Sequence, residues 1–182
     1  ERGMLALKEN QFIDFSRVGL IGFSHGGYET NFIATQSNLF RTYLGGAGNS
    51  DLVRSYFSFN YNFLKPFYFQ FENGQYRMPK PFSQDKKLYI KNSPVYFAEK
   101  VNAPILLWAG MKDQNIYWEQ TMEFYLGLQR NKKNVVALFY PDQAHGFQAL
   151  GAKIDIYTKV SDWFDHYLKD EKPADWIAKG MN

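Results

Sequence analysis

An apolar run that breaks into glycines around one serine constrains this chain more than anything else in it: Val18-Gly19-Leu20-Ile21-Gly22-Phe23-Ser24-His25-Gly26-Gly27. The pattern reads as a buried parallel strand turning sharply into a helix, with Ser24 at the apex. A turn that tight strains its central residue, and Gly22 and Gly26 are expected to give the crossing backbones room because neither carries a Cβ. A strained, exposed serine oxygen is a candidate nucleophile. The same residues also fit a glycine-rich turn with an incidental serine, so the rest of the chain has to separate the two readings.

Strands and helices alternate on both sides of Ser24. Residues 3–10 read as the end of a helix, 17–23 as a strand and 28–37 as the helix after the turn. A second strand over 41–45 runs into Gly45-Gly46-Ala47-Gly48-Asn49, a loop at a strand's carboxyl end, where open α/β sheets hold their ligands. Residues 51–92 break the alternation and read as an aromatic, helical insertion. It resumes with a helix from Ser93-Pro94 to Lys100, a strand over 104–109, a helix over 118–130 and a strand over 135–140. A final helix over 154–169 places Ile154, Tyr157, Val160, Trp163, Phe164 and Tyr167 at helical spacing. Continuous apolar strands between helices imply an α/β fold, a mostly parallel sheet covered on both faces. With 182 residues the chain suits a single domain spanning 1–182.

Composition narrows the function class. Lys and Arg together number 21 against 18 Asp and Glu, and the basic residues are scattered, so no nucleic-acid partner is expected. No uninterrupted apolar run is long enough to span a bilayer, which argues for a soluble chain without a membrane partner. The absence of cysteine excludes disulfides and thiolate metal sites and leaves the compartment open between cytoplasm and periplasm. No His, Asp and Glu cluster at metal-ligand spacing and no phosphate-binding loop occurs, so neither metal nor cofactor is expected. Aromatic residues make up 19% and are densest between Tyr56 and Phe71, which suggests a ligand-facing or cap region.

A serine nucleophile needs an adjacent base, and neutral imidazole suits that role. Three histidines compete. The His25 side chain follows Ser24 and points away from it, whereas its backbone N–H is placed to donate to an oxyanion. His166 sits on the last amphipathic helix and reads as structural. His145 lies in Pro141-Asp142-Gln143-Ala144-His145-Gly146-Phe147, just past a strand's carboxyl end on the same sheet edge as Ser24. The orienting carboxylate should fall between serine and histidine in chain order. Asp113, in the loop Gly110-Met111-Lys112-Asp113-Gln114-Asn115, meets that condition, with Asp51 as runner-up and Asp142 too near His145 to reach round it. An isolated loop aspartate is otherwise a turn former or helix cap.

Phe12-Ile13-Asp14, Arg17-Val18-Gly19, Gly22-Phe23-Ser24-His25-Gly26-Gly27-Tyr28-Glu29-Thr30, Ser93-Pro94, Gly110 with Asp113, and Tyr140-Pro141 with His145-Gly146-Phe147 recur in this order and spacing. Together they resemble the catalytic domain of the prolyl oligopeptidase family of serine peptidases, nearest its dipeptidyl-peptidase and acylaminoacyl-peptidase branches. The Gly-Gly-Tyr-Glu-Thr segment is of the kind usual in bacterial members. The resemblance implies a partial α/β-hydrolase fold with Ser24 as nucleophile, Asp113 as orienting acid and His145 as general base. It also implies that Asn115 binds a substrate carbonyl, and that the segment from Asp51 builds the pocket for the residue before the scissile bond. Tyr56, Phe57 and Tyr61 are candidates there, with cap packing as their alternative.

The family also carries an N-terminal β-propeller that admits only small peptides, and a tyrosine oxyanion donor in an early part of the hydrolase domain that this chain lacks. A start at Glu1-Arg2-Gly3, without initiator Met or signal peptide, accordingly suggests a piece of a longer polypeptide whose first strands are missing. The strand over 17–23 would then have an open edge, and the isolated chain is expected to form a homodimer through that edge or through uncovered apolar faces. The expected activity is hydrolysis of peptide bonds in small peptides through an acyl-enzyme. A carboxylesterase serves the same chemistry. An inert structural or binding piece of the parent enzyme is the reading from a different class.

Overall fold

The computed structural model describes residues 2–179. Helix α1 (Arg2–Ala6) leads to a 3-10 turn at Phe15–Arg17, where the Asp14 carboxylate accepts from the Ser16 N–H. That local cap holds residues 15–17 out of the sheet, so β1 is Gly19–Phe23 and shorter than its apolar pattern suggests. Helix α2 (His25–Ala34) starts immediately after Ser24, and β2 (Thr42–Gly46) lies parallel to β1 with Gly46 opposite Phe23.

Between β2 and the next long strand the chain makes short pieces. Asp51 caps helix α3 (Leu52–Tyr56) by accepting from the Val53 and Arg54 N–H groups. A small antiparallel pair, β3 (Phe59–Asn60) and β4 (Lys65–Pro66), precedes helices α4 (Tyr68–Glu72) and α5 (Lys86–Lys91). The expected helix over Pro94–Lys100 is of the 3-10 kind and is kinked at Phe97, which departs from helical dihedrals. Strand β5 (Ile105–Gly110), helix α6 (Glu119–Arg130), strand β6 (Val135–Tyr140) and helices α7 (Leu150–Lys169) and α8 (Asp175–Lys179) follow. Helix α6 carries Glu119 in its first turn and Arg130 in its last, both matched to the helix dipole.

The main sheet runs β1-β2-β5-β6, every pair parallel. Parallel neighbours need a crossover between them, so all four carboxyl ends meet on one sheet edge. Side chains alternate across the sheet. Tyr43, Ile105 and Leu107 pack with Ala34 of α2, Ala98 and Val101, and Phe124 and Leu128 of α6. Leu44, Leu106, Trp108 and Leu138 face the opposite way and pack with Ile156 and Trp163 of α7. The Trp163 indole is fully buried, and its N–H donates to Thr42 Oγ at 2.7 Å. A third cluster, Tyr28, Leu52, Phe67, Phe71, Tyr89 and Ile116, ties the segment after β2 to α2 and to the loop after β5.

Strand β1 forms one edge of the sheet. Its Ile21 and Phe23 are 48% and 44% exposed, and with Trp108, Phe147, Ile156, Tyr157 and Val160 they line an apolar groove of ≈ 610 Å³. No helix among the described residues is long and apolar enough to cross a membrane.

Candidate active site

Ser24 occupies φ 60°, ψ −119°, a conformation that strains any residue bearing a side chain. Two close approaches impose it. The Ser24 N–H donates to the Gly46 carbonyl at 2.8 Å, fixing the turn to the end of β2. A Cβ on Gly22 would lie 2.1 Å from the Gly26 carbonyl oxygen, and one on Gly27 would lie 2.3 Å from the Gly46 oxygen. The second position corrects the expectation for Gly26, whose missing side chain would meet nothing within 4 Å. It is Gly27 that brings α2 against β2.

Asp113 and His145 come from the loops after β5 and β6. His145 Nε2 lies 2.8 Å from Ser24 Oγ, and Nδ1 lies 2.7 Å from Asp113 Oδ2. Asp113 is 3% exposed, and its other oxygen accepts from the Asn115 and Ile116 N–H groups at 2.7 and 3.0 Å. Both carboxylate oxygens are therefore committed, one to hold the group and one to face the imidazole. The Phe23 ring stands 5.0 Å from the His145 ring and limits its swing. An imidazole so held can take a proton from the serine hydroxyl, while the buried carboxylate favours the imidazolium that results.

The other candidates separate cleanly. Asp51 caps α3, and the exposed Asp142 pairs with Lys112 at 2.7 Å. His166 donates through Nδ1 to the Glu171 carbonyl at 2.8 Å, far along α7. His25 is the first residue of α2, a position whose N–H has no intrahelical acceptor. Its ring packs edge-on against Tyr76 at 4.6 Å, with Nε2 3.7 Å from Glu29 Oε1, and it is His145 that bonds Ser24 Oγ.

A cavity of ≈ 280 Å³ opens beside Ser24, lined by His25, Phe63, Phe67, Gln70, Gln75, Tyr76, Asn115 and Ile116. Asn115 belongs to it, with Oδ1 accepting from the Asn60 side chain. Tyr56, Phe57 and Tyr61 do not line it. Tyr56 donates to Glu72 and packs among Tyr68, Phe71, Phe82 and Tyr89. Phe57 and Tyr61 are 70% and 54% exposed, against Phe82 and Phe59 respectively. The rings that reach the cavity are Phe63, Phe67 and Tyr76, from the same aromatic stretch and just beyond it. Burial pushes the Tyr76 phenol well above its usual range, so it stays neutral, and its oxygen accepts from the Asn49 side-chain N–H₂ at 2.6 Å. No group of three or more His, Cys, Asp or Glu able to hold a metal ion occurs among the described residues.

An uncharacterized peptidase of Bacillus subtilis, YuxL, is 27% identical over 166 residues, covering 90% of this chain and 24% of the relative. The acylamino-acid-releasing enzyme of Sus scrofa is 25% identical over 177 residues, covering 89% of this chain and 22% of that enzyme. Among solved structures, a Pyrococcus horikoshii acylaminoacyl peptidase superposes with a TM-score of 0.79 at 26% identity, over 98% of this chain and 28% of its own. A puromycin-hydrolyzing peptidase of Mycobacterium tuberculosis shares the fold, with a TM-score of 0.83 at 24% identity, over 94% of this chain and 25% of its own. The fold is that part of the α/β-hydrolase architecture, and the chain spans about a quarter of the length of the proteins it matches. Residues 2–171 match the prolyl oligopeptidase family, and the chain belongs to that family of peptidases.

Proposed function

We propose that these residues are the catalytic part of a serine peptidase that cleaves small peptides through an acyl-enzyme. The observation that carries the proposal is the continuous hydrogen-bonded line from Asp113 through His145 to Ser24, with Ser24 held at a strained turn. His145 Nε2 removes the Ser24 proton as Oγ attacks the substrate carbonyl carbon. The tetrahedral oxyanion accepts from the His25 N–H, and Asp113 stabilises the imidazolium. His145 then protonates the leaving amine, which departs as the C–N bond breaks. Water, deprotonated by the same imidazole, adds to the acyl carbon; the Oγ–C bond then breaks and His145 returns the proton to Ser24 Oγ. Removing one oxyanion donor costs about a hundredfold to a thousandfold in turnover, and removing a nucleophile or base costs more.

The cavity beside Ser24 is the pocket for the side chain preceding the scissile bond. Among the described residues no Asp, Glu, Lys or Arg lines it, so an uncharged side chain fits. Among the described residues the Asn115 side-chain N–H₂ has no acceptor, which suits it to donate to a substrate carbonyl. For the isolated 182-residue chain, the open edge of β1 and its exposed Ile21 and Phe23 favour pairing with a second copy, edge to edge about a twofold axis.

The acylamino-acid-releasing relatives make N-acyl-aminoacyl anilides the first substrates to try, beside dipeptidyl anilides and a matched ester. Amide hydrolysis that disappears in Ser24→Ala supports the peptidase. Ester hydrolysis without amide hydrolysis transfers the reading to a carboxylesterase. No turnover of either by a folded, intact polypeptide overturns it.

A further inference from the structure

The loop that carries His145, residues 141–149, has one buried residue, and it is polar: Gln143, 8% exposed. Its side-chain Oε1 accepts from the Gln148 N–H at 3.0 Å and the Ala149 N–H at 3.2 Å. Those donors lie on the far side of His145, at the entry to α7, a helix whose N-cap residue Ala149 offers no side-chain cap of its own. The amide therefore closes the loop into a ring with His145 inside it. The backbone of Gln143 holds the other partner. Its carbonyl accepts from the Lys112 N–H at 2.9 Å, one residue before Asp113. Gly110 allows the approach, since a Cβ there would lie 2.4 Å from the Gln143 and Ala144 carbonyl oxygens.

We propose that Gln143 is a positioning residue for the proposed base, setting the reach of His145 to both Ser24 and Asp113 through its clamp on the 141–149 loop. The inference rests on the reading of His145 as general base. Gln143 touches neither substrate nor reacting atoms; it acts by fixing loop geometry. Displacing a reacting group by about 1 Å can cost on the order of a hundredfold in rate. Loss of the acceptor should appear in kcat, because the substrate cavity includes no residue of this loop.

The test compares Gln143→Leu, Gln143→Glu and Ala149→Pro in the intact polypeptide that carries these residues. Gln143→Leu removes the acceptor at similar volume. Gln143→Glu keeps an acceptor oxygen and has to rescue. Ala149→Pro deletes one donor at a residue whose φ of −64° already suits proline. The expected result is a fall in kcat of about tenfold to a hundredfold for Gln143→Leu, with KM within about threefold. Activity within about threefold of wild type is expected for Gln143→Glu, and a smaller loss for Ala149→Pro that does not add fully to Gln143→Leu in the double variant. Wild-type kcat in a folded Gln143→Leu overturns the proposal. So does a loss confined to KM, failure of Gln143→Glu to rescue, or full additivity with Ala149→Pro. Retained activity in Ser24→Ala would instead overturn the functional reading itself.

Discussion

Replacing Asp113 by asparagine should disable the enzyme while leaving its fold in place. Asp113 Oδ1 accepts from the Asn115 and Ile116 N–H groups, and Oδ2 faces His145 Nδ1 at 2.7 Å. Asparagine can keep its carbonyl on the two backbone donors, which then directs its N–H₂ at Nδ1. The imidazole must answer with a lone pair at Nδ1 and carry its proton on Nε2, 2.8 Å from Ser24 Oγ. A nitrogen already protonated cannot take the serine proton. The expected loss is about 10⁴ in kcat, or about 5.5 kcal/mol of transition-state stabilisation. KM should stay within severalfold and the thermal midpoint within a few degrees, because volume and backbone bonds are conserved. Steady-state kinetics on an anilide, with a melting curve for each variant, measures all three. Asp142→Asn breaks only an exposed pair with Lys112, and Asp51→Asn retains a competent helix cap, so both should stay within about threefold. Turnover by Asp113→Asn within tenfold of wild type, or an equal loss at Asp142, would refute the argument.

Other consequences follow from the same geometry. Gly27→Ala forces a methyl against the Gly46 carbonyl and should destabilise by at least about 1–3 kcal/mol, whereas Gly26→Ala enters open space and should leave the melting midpoint unchanged or higher. Substrates with Glu, Lys or Arg before the scissile bond should lose about tenfold or more in kcat/KM against a neutral side chain of similar size, mostly through KM. Burial raises the phenols of Tyr28, Tyr76 and Tyr140 well above the usual range and that of Tyr89 to about 12. Because the folded state keeps protons that the unfolded chain releases above about pH 10, this contribution to stability is complete below that pH and falls as pH rises. Phenolate absorbance during an alkaline titration should show these four ionising only as the protein unfolds. For the isolated chain, light scattering should report a dimer at micromolar concentration that dissociates in Ile21→Lys; a monodisperse monomer would remove the edge-pairing proposal.

Much of the scaffold around Ser24 is legible in the sequence because it is local. An apolar run ending in glycines has few ways to fold, and strand β6 coincides with its hydrophobic run, residues 135–140. Local competition shifts other boundaries: the Asp14 cap shortens β1, and Phe97 breaks the helix over 94–100. Asp113 and His145 are identifiable because chain order and strand ends bring them together at Ser24 whatever the intervening loops do. The pocket is not legible in the same way. Between Tyr56 and Tyr76 nearly every turn carries an aromatic ring, and which ones face Ser24 is decided by packing between α3, α4 and α5. That packing encloses Tyr56 and leaves Phe63, Phe67 and Tyr76 at the cavity. Gln143 carries no sequence signal at all, since its importance lies in two backbone donors beyond His145 and one before Asp113.

An activated Ser24 should react selectively with a fluorophosphonate. After brief exposure of the intact polypeptide, mass mapping should find one adduct, on the peptide containing Ser24. Labelling should vanish in Ser24→Ala and slow by at least about a thousandfold in His145→Ala. An adduct on another serine, or labelling of Ser24 that proceeds equally fast without His145, would contradict the account.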